Sequence, residues 1–452
     1  MDRPTWVVVL GDLGRSPRMQ NHALSLLQAT AGPVRVVAQL QSLDGVPAAL
    51  LHAPRVSFSD LPRLPRRLES APRPLRWLLK ALLQAVVLAW VLLRAGPAPR
   101  ALLVQSPPAL PVLAVCAAVA WLRGARLIVD VHNLAYTLMR PSAAPAPKAA
   151  LHASDSALVR IAAAYEQWAT RRAAHALTVS HEFSAWLAEH WGVRATVLHD
   201  YAPARFGPVT AAQAHTLLAG TLRADLLRQH HRGADFLASE FAGGRSPLTC
   251  TAPNGDASWR DDPRPALLVS STSWTPDEDF GVLLDAAAAY DRSAAPRCLL
   301  IVVTGKGPGK AGYLAALRER RFERVAICTA WLSAEDYPRL LACADLGVSL
   351  HASSSDLDLP MKVADMLGCG VPVCGVRYAA AAEQIVEGRS GALFSSAQEL
   401  AAIWQRLCAD SAALQALRGC VTADRLTWED AWRSACGESG ELLLGEGGGG
   451  AL

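Results

Sequence analysis

One rhythm runs through this chain twice: a short apolar run, a polar turn, then an amphipathic stretch of helical period. In the first half the apolar runs are 6–10, 34–39, 101–105, 126–130, 176–180 and 195–198, with helices expected at about 19–30 and 181–190. In the second half they are 266–270, 299–304, 325–328, 346–350, 372–376 and 392–394. Helices between them are expected at about 277–290, 310–321, 334–344, 360–367 and 397–408. Runs this short and this rich in Val, Leu and Ile suit strands buried on both faces of a parallel sheet. Strand, turn and helix in alternation build a doubly wound α/β domain. With 452 residues the chain exceeds one ordinary core and fits two such domains of about 200 residues.

The predicted fold class is therefore α/β, with two Rossmann-like doubly wound domains facing across a cleft. Residues 1–206 form the first domain and 264–440 the second, with a variable insertion or linker at 207–263 and a flexible tail at 441–452. Open sheets of this kind bind ligands beyond the C-terminal ends of their strands, so the active site is expected there.

Composition narrows the function classes. Apolar residues make up 51% and charged residues 19%, which is a globular balance. A net charge of +4 gives no reason to expect nucleic acid as a partner. The ten cysteines form no CxxC pair, the closest being Cys369 and Cys374, so neither a zinc site nor a disulfide framework is expected. No cleavable signal peptide is expected ahead of the first strand.

Two segments carry chemistry. Val303–Thr304–Gly305–Lys306–Gly307–Pro308 puts backbone N–H groups and a lysine at a strand–helix turn, which suits phosphate or serves as an ordinary joint with a solvated Lys306. In the second, Pro360 opens a helix on which Lys362 and Asp365 share a face. One can meet a phosphate and the other a ribose diol, or the two can form a weak exposed ion pair.

Several longer segments bear a resemblance to one family. They are VLGDLGRSPRMQ at 9–20, VSSTSWTPDEDF at 269–280, TGKGP at 304–308, WLSAEDYP at 331–338, ADLGV at 344–348 and DLPMK at 358–362. With these the chain resembles the chitobiosyldiphosphodolichol β-mannosyltransferases, which add the first mannose of the N-glycan precursor. The resemblance implies a GT-B type glycosyltransferase: an inverting β-1,4-mannosyltransferase moving mannose from GDP-mannose to chitobiosyl-diphosphodolichol. It also implies the cytosolic face of the endoplasmic reticulum membrane, with other early N-glycan glycosyltransferases as further partners. Ser271, Thr272, Lys306, Lys362 and Asp365 would lie near the donor, and Arg15, Arg18 and Asn133 near the acceptor. Asp12 is the first candidate for the catalytic base and His132 its rival, each at a strand end. The other readings are a loop aspartate that caps a helix or pairs with Arg15, and a buried structural histidine. No metal site is expected; magnesium is left open.

Two departures from the family pattern stand out. A hydrophobic anchor commonly precedes the first strand in the family, whereas here that strand begins by residue 6. Val131 replaces the usual aromatic between Asp130 and His132, and Tyr201 follows Asp200 where lysine is common, which lowers the expectation for the 200 region. Membrane attachment is then expected from Arg63, Arg66, Arg67, Arg73, Arg76 and Lys80, followed by the apolar run 81–93. Thirteen helical residues reach about 20 Å, short of a ~30 Å hydrocarbon core, so this run suits lying on an anionic surface or packing in the core. A related transferase with another donor or acceptor, or a non-catalytic binder of lipid-linked sugar, are the alternatives.

Overall fold

The computed structural model describes residues 3–41, 43, 45–63, 73–140, 151, 155–228, 231–260 and 263–445. They form two compact units. The first comprises the chain to Asp200, together with Ser354–Asp358 and the segment from Trp428. The second comprises Tyr201–Ser353 and Leu359–Thr427.

The first unit is built on seven strands: β1 (Thr5–Asp12), β2 (Val34–Gln39), β3 (Val56–Asp60), β4 (Ala101–Ser106), β5 (Arg126–Val131), β6 (His175–Thr178) and β7 (Ala195–Val197). All pair in parallel in the order β3-β2-β1-β4-β5-β6-β7, so the strand order reverses between β1 and β4. Strand β3 was not among the expected runs. Its sequence VSFSD alternates in polarity and sits half-buried at the sheet edge, where one face needs no apolar residue.

Helices α1 (Pro17–Ala29), α2 (Ala48–Leu51), α3 (Arg73–Arg94), α4 (Val112–Arg123), α5 (Ala157–Thr170) and α6 (His181–Trp186) link the strands. Right-handed crossovers carry α1 to one face of the sheet and α3, α4 and α5 to the other. Trp6, Val8, Leu102, Val104, Leu127 and Val129 from the strands meet Leu88, Leu92, Leu113 and Cys116 from α3 and α4. Helix α3 is longer than the apolar run suggested, at 22 residues, and Leu88, Val91 and Leu92 anchor one side of it in the core. Arg66 and Arg67, together with the side chain of Arg73, lie outside the described residues. Among the described residues no helix is long and apolar enough to cross a membrane.

The second unit has six parallel strands: β8 (Ala266–Ser271), β9 (Leu299–Thr304), β10 (Val325–Ala330), β11 (Leu346–Ser349), β12 (Val373–Val376) and β13 (Gly391–Phe394). Their order is β10-β9-β8-β11-β12-β13. Its longer helices are α7 (Phe280–Asp291), α8 (Lys310–Arg318), α9 (Asp336–Cys343), α10 (Met361–Gly368), α11 (Ala397–Ala409) and α12 (Ser411–Ala423). The segment 207–263, expected as a linker of uncertain order, is folded into this unit where it is described. Leu217, Leu218, Leu222, Leu226, Leu237 and Phe241 are buried in the same core as Leu300, Val302 and Ala326. Short turns of helix deliver these side chains, which is why no long period marked the segment.

Helix α13 (Trp428–Cys436) belongs to the first unit, not to the second domain expected over 264–440, and the tail expected to be flexible from 441 opens with a helical turn, Glu441–Leu444, whose Leu443 and Leu444 are buried. Trp428 and Trp432 are one helical turn apart, and each is 1% exposed. Their indole N–H groups donate to Ser25 Oγ at 3.0 Å and His22 Nδ1 at 3.2 Å on α1. Two large buried rings with both polar atoms satisfied hold this helix against the first sheet's layer rather than the second.

Candidate functional site

The first candidate constellation lies where β1, β5 and β7 end. Arg18, in the first turn of α1, is 1% exposed. Its Nε and Nη2 donate to Asp130 at 2.6 and 2.9 Å, and its Nη1 donates to Asp200 at 2.8 Å and to the Leu198 carbonyl at 3.1 Å. A buried guanidinium needs such partners, and these hold both carboxyls below the ordinary aspartate range against the burial that would raise them. Arg18 was expected to hold the acceptor diphosphate. The structure corrects this: both ends of its fork are committed to buried carboxylates.

The second oxygen of Asp200 lies 3.1 Å from His132 Nε2. The His132 side chain is 21% exposed, so one part of the ring reaches the surface while Asp200 is fully buried. Burial works against imidazolium, but the hydrogen bond and charge of Asp200 outweigh it and raise the His132 pKa above its ordinary value. Nε2 then carries the proton donated to Asp200, and Nδ1 presents the lone pair. His22 is the buried counterpart. Trp432 can only donate, so His22 Nδ1 accepts and its Nε2–H donates to Asp130 at 3.2 Å. Burial keeps His22 neutral, lowering its pKa.

Asn133 follows on the same edge. Its amide donates to Ser354 Oγ at 3.1 Å, and its carbonyl oxygen accepts from the Leu134 N–H at 2.7 Å. The loop beyond it is held by Glu166, which accepts from Ser106, Ala135 and Tyr136 and is pushed up to about 7 by burial. Asp12 closes β1 half-buried, with Oδ1 accepting from the Gln41 N–H at 3.3 Å and no side-chain cap on the helical turn that follows. Arg15 is exposed in that turn. Strand β4 separates β1 from β5, so Asp12 and His132 stand on one sheet edge about 10 Å apart at the level of their strands.

The second constellation lies at the ends of β8 and β9 and the start of α10. Ser271 Oγ and Asp365 Oδ2 are 3.1 and 3.3 Å from the Tyr337 hydroxyl. Burial and the Asp365 charge push that phenol well above its ordinary pKa, so it stays protonated. Thr272 and Lys362 both bond Glu278, which is 7% exposed, and the Ser273 N–H reaches the same carboxylate at 3.3 Å. Four of the five expected donor residues thus gather around two side chains the sequence did not single out, Glu278 and Tyr337. Each sits in a matched segment (269–280 and 331–338) but carries no spacing signal of its own.

Lys306 departs from that group. Its Nζ lies 3.9 Å over the Trp331 ring. The glycines beside it have a packing reason: a Cβ on Gly305 would come 1.8 Å from the Thr272 carbonyl oxygen, and one on Gly307 would come 1.8 Å from that of Ser273. Gly305 also has φ +129°. The turn after β9 is pressed against the turn after β8, and only glycine fits that approach.

Known proteins with these features are glycosyltransferases. Residues 264–410 match the family model described as glycosyl transferases group 1. The protein named UDP-glycosyltransferase TURAN from Arabidopsis thaliana is 42% identical over 419 residues, covering 87% of this chain and 86% of its own. A chitobiosyldiphosphodolichol beta-mannosyltransferase from Homo sapiens is 36% identical over 437 residues, covering 94% and 90%. The crystal structure of Anabaena HepE with UDP and glucose superposes with a TM-score of 0.61 at 14% identity, covering 96% of this chain and 98% of HepE. The fold is thus that of GT-B glycosyltransferases, with two Rossmann-like units.

Proposed function

Because the chain belongs to the chitobiosyldiphosphodolichol beta-mannosyltransferase family, we propose that it transfers mannose from GDP-mannose to chitobiosyl-diphosphodolichol with inversion, making the β-1,4 linkage. The chain is a glycosyltransferase of N-glycan precursor assembly. The proposed setting is the cytosolic face of the endoplasmic reticulum membrane, beside the transferases acting before and after it.

The observation that carries the mechanism is the His132–Asp200 pair. An inverting transfer is one displacement: the acceptor 4-hydroxyl oxygen bonds the mannose C1 as the bond from C1 to the β-phosphate oxygen breaks, and GDP leaves with that electron pair. The hydroxyl proton needs a base. His132 offers Nδ1, with Asp200 fixing the tautomer and stabilising the imidazolium that forms, while Arg18 and Asp130 hold Asp200 in place. Asp12, at the end of β1, is the rival for that role. We assign it and Arg15 to the acceptor instead. For the donor, Asp365 suits the ribose hydroxyls, and Lys362 suits the diphosphate once a ligand competes with Glu278.

The test is incubation of the protein with labelled GDP-mannose, labelled UDP-sugars and chitobiosyl-diphospho-lipid. A β-linked trisaccharide lipid formed from GDP-mannose alone is expected. Product from a UDP-sugar would replace the donor assignment, a point sharpened by the name of the Arabidopsis relative. His132→Ala should abolish turnover, while Asp12→Asn should lower kcat by less than about tenfold. The reverse outcome would make Asp12 the base.

A further inference from the structure

The first unit carries an apolar face that its own core does not use. On α3, Leu79, Leu82, Val86, Trp90 and Leu93 are each 37–65% exposed. Their spacing keeps all five within one narrow stripe of the helix, opposite the buried Leu88, Val91 and Leu92. Helix α4 packs beside α3 and exposes Trp121 (81%) and Leu122 (61%), and α5 packs beside α4 and exposes Leu158, Ile161 and Trp168. Ten large apolar side chains thus share one layer of three helices.

The polar residues of that layer follow a rule. Parallel strands joined by crossover helices require α3, α4 and α5 to run in one direction, so their last turns lie at one end of the sheet. Each helix bears an exposed tryptophan in or just before its last turn: Trp90, Trp121 and Trp168. Two of them carry an arginine on the ring, with Arg94 Cζ 4.8 Å from the Trp90 centroid and Arg172 Cζ 3.9 Å from that of Trp168. The three helices contain one carboxylate, Glu166, and it is buried. Arg76, Lys80, Arg94, Arg123 and Arg160 lie on the same helices with no exposed acid among them.

We propose that the α3–α4–α5 face is a membrane-docking surface for an anionic lipid bilayer. The apolar stripe enters the headgroup–acyl boundary, and the Trp–Arg ends stand at headgroup level. Amphipathic rings favour that level, and cations there meet lipid phosphates. A protein partner would leave the one-signed charge and the row of tryptophans at a single end without a reason. The proposal rests on the reading that the acceptor is lipid-linked, but its test does not use the reaction.

The experiment is flotation of the full chain with phosphatidylcholine vesicles, with and without phosphatidylinositol, alongside quenching of tryptophan fluorescence by brominated lipids. Binding is expected to be stronger on the anionic vesicles and weakened by salt, with quenching that is lost in the triple variant Trp90→Ala, Trp121→Ala, Trp168→Ala. That variant should partition at least about tenfold more weakly. Leu82→Glu with Val86→Glu, which reverses the face without touching the core, should do the same. Neither variant should change turnover of a water-soluble acceptor analogue. Equal flotation of wild type and both variants, or absence of quenching in the wild type, overturns the proposal. A concentration-dependent dimer that both variants dissolve, without vesicle binding, would make the face a self-association surface instead. Vesicle binding without mannosyl transfer would retain the surface and remove the proposed reaction.

Discussion

Replacing Asp200 by Asn isolates what the buried carboxylate does for His132. The side chain keeps its shape, but its single carbonyl oxygen can replace only one of two acceptors: facing Arg18 Nη1, which lies at 2.8 Å in the native protein, it turns its NH2 toward His132 Nε2, 3.1 Å from the second Asp200 oxygen. What disappears is a full negative charge next to both. Arg18 retains its two bonds to Asp130, so the buried guanidinium is not left unpaired. The stability cost should therefore stay near 1–3 kcal/mol, below the 3–5 kcal/mol typical of orphaning a buried charge. Catalysis should suffer more. An NH2 facing Nε2 favours the tautomer with the proton on Nδ1 and cannot stabilise the imidazolium, so kcat should fall by roughly 10² to 10⁴. Donor affinity should be unchanged, since the proposed donor residues are in the second unit.

The pH profile makes the test specific. His132 works as a base only when neutral, so wild-type kcat should decline as the pH falls through its folded pKa, which Asp200 raises above 6.5. Removing that charge lowers the His132 pKa and moves the acid limb to lower pH, even though the plateau is depressed. Steady-state kinetics from pH 5 to pH 9, with GDP titration calorimetry and urea unfolding as controls, read all three quantities. A kcat within about threefold of wild type, or an acid limb that does not move in a folded variant, would refute the assignment.

Three other outcomes follow from the same geometry. Asp365→Ala should weaken GDP by about 1–3 kcal/mol in calorimetry, the cost of unmatched hydroxyls, and unchanged affinity would remove Asp365 from the donor site. Gly305→Ala should destabilise the second unit by about 3 kcal/mol or more in urea unfolding, because its Cβ would meet the Thr272 carbonyl oxygen at 1.8 Å. Trp432→Phe deprives buried His22 of its donor and leaves part of the indole volume empty, so it should cost about 2–4 kcal/mol; a histidine NMR titration should show native His22 still neutral below pH 6.5 and His132 titrating above it.

The two sheets were legible in the sequence because a strand buried on both faces must be apolar throughout, and eleven of the twelve expected runs needed only end corrections or none to match strands such as Val34–Gln39 and Leu299–Thr304. The twelfth, 176–180, slid back to His175–Thr178, since Ser180 is used to cap α6. Strand β3 escaped because an edge strand needs only alternation. The donor cluster was half legible: Ser271, Thr272 and Lys362 lie in matched segments and Asp365 shares a helix face with Lys362, but Glu278 and Tyr337 became visible only where the turn after β8 meets α10.

The first site was the least legible. Arg18 was expected at the acceptor and the 200 region carried a lowered expectation, and 182 positions separate Arg18 from Asp200 along the chain. Folding brings β1, β5 and β7 to one sheet edge, and burial turns those charges into a fixed scaffold for His132. Likewise, the residues of α13 were expected within the second domain, 264–440, and fold with the first unit. Periodicity reports which face of a helix is apolar; which surface that face covers is set by complementarity, here two indole N–H groups meeting Ser25 and His22.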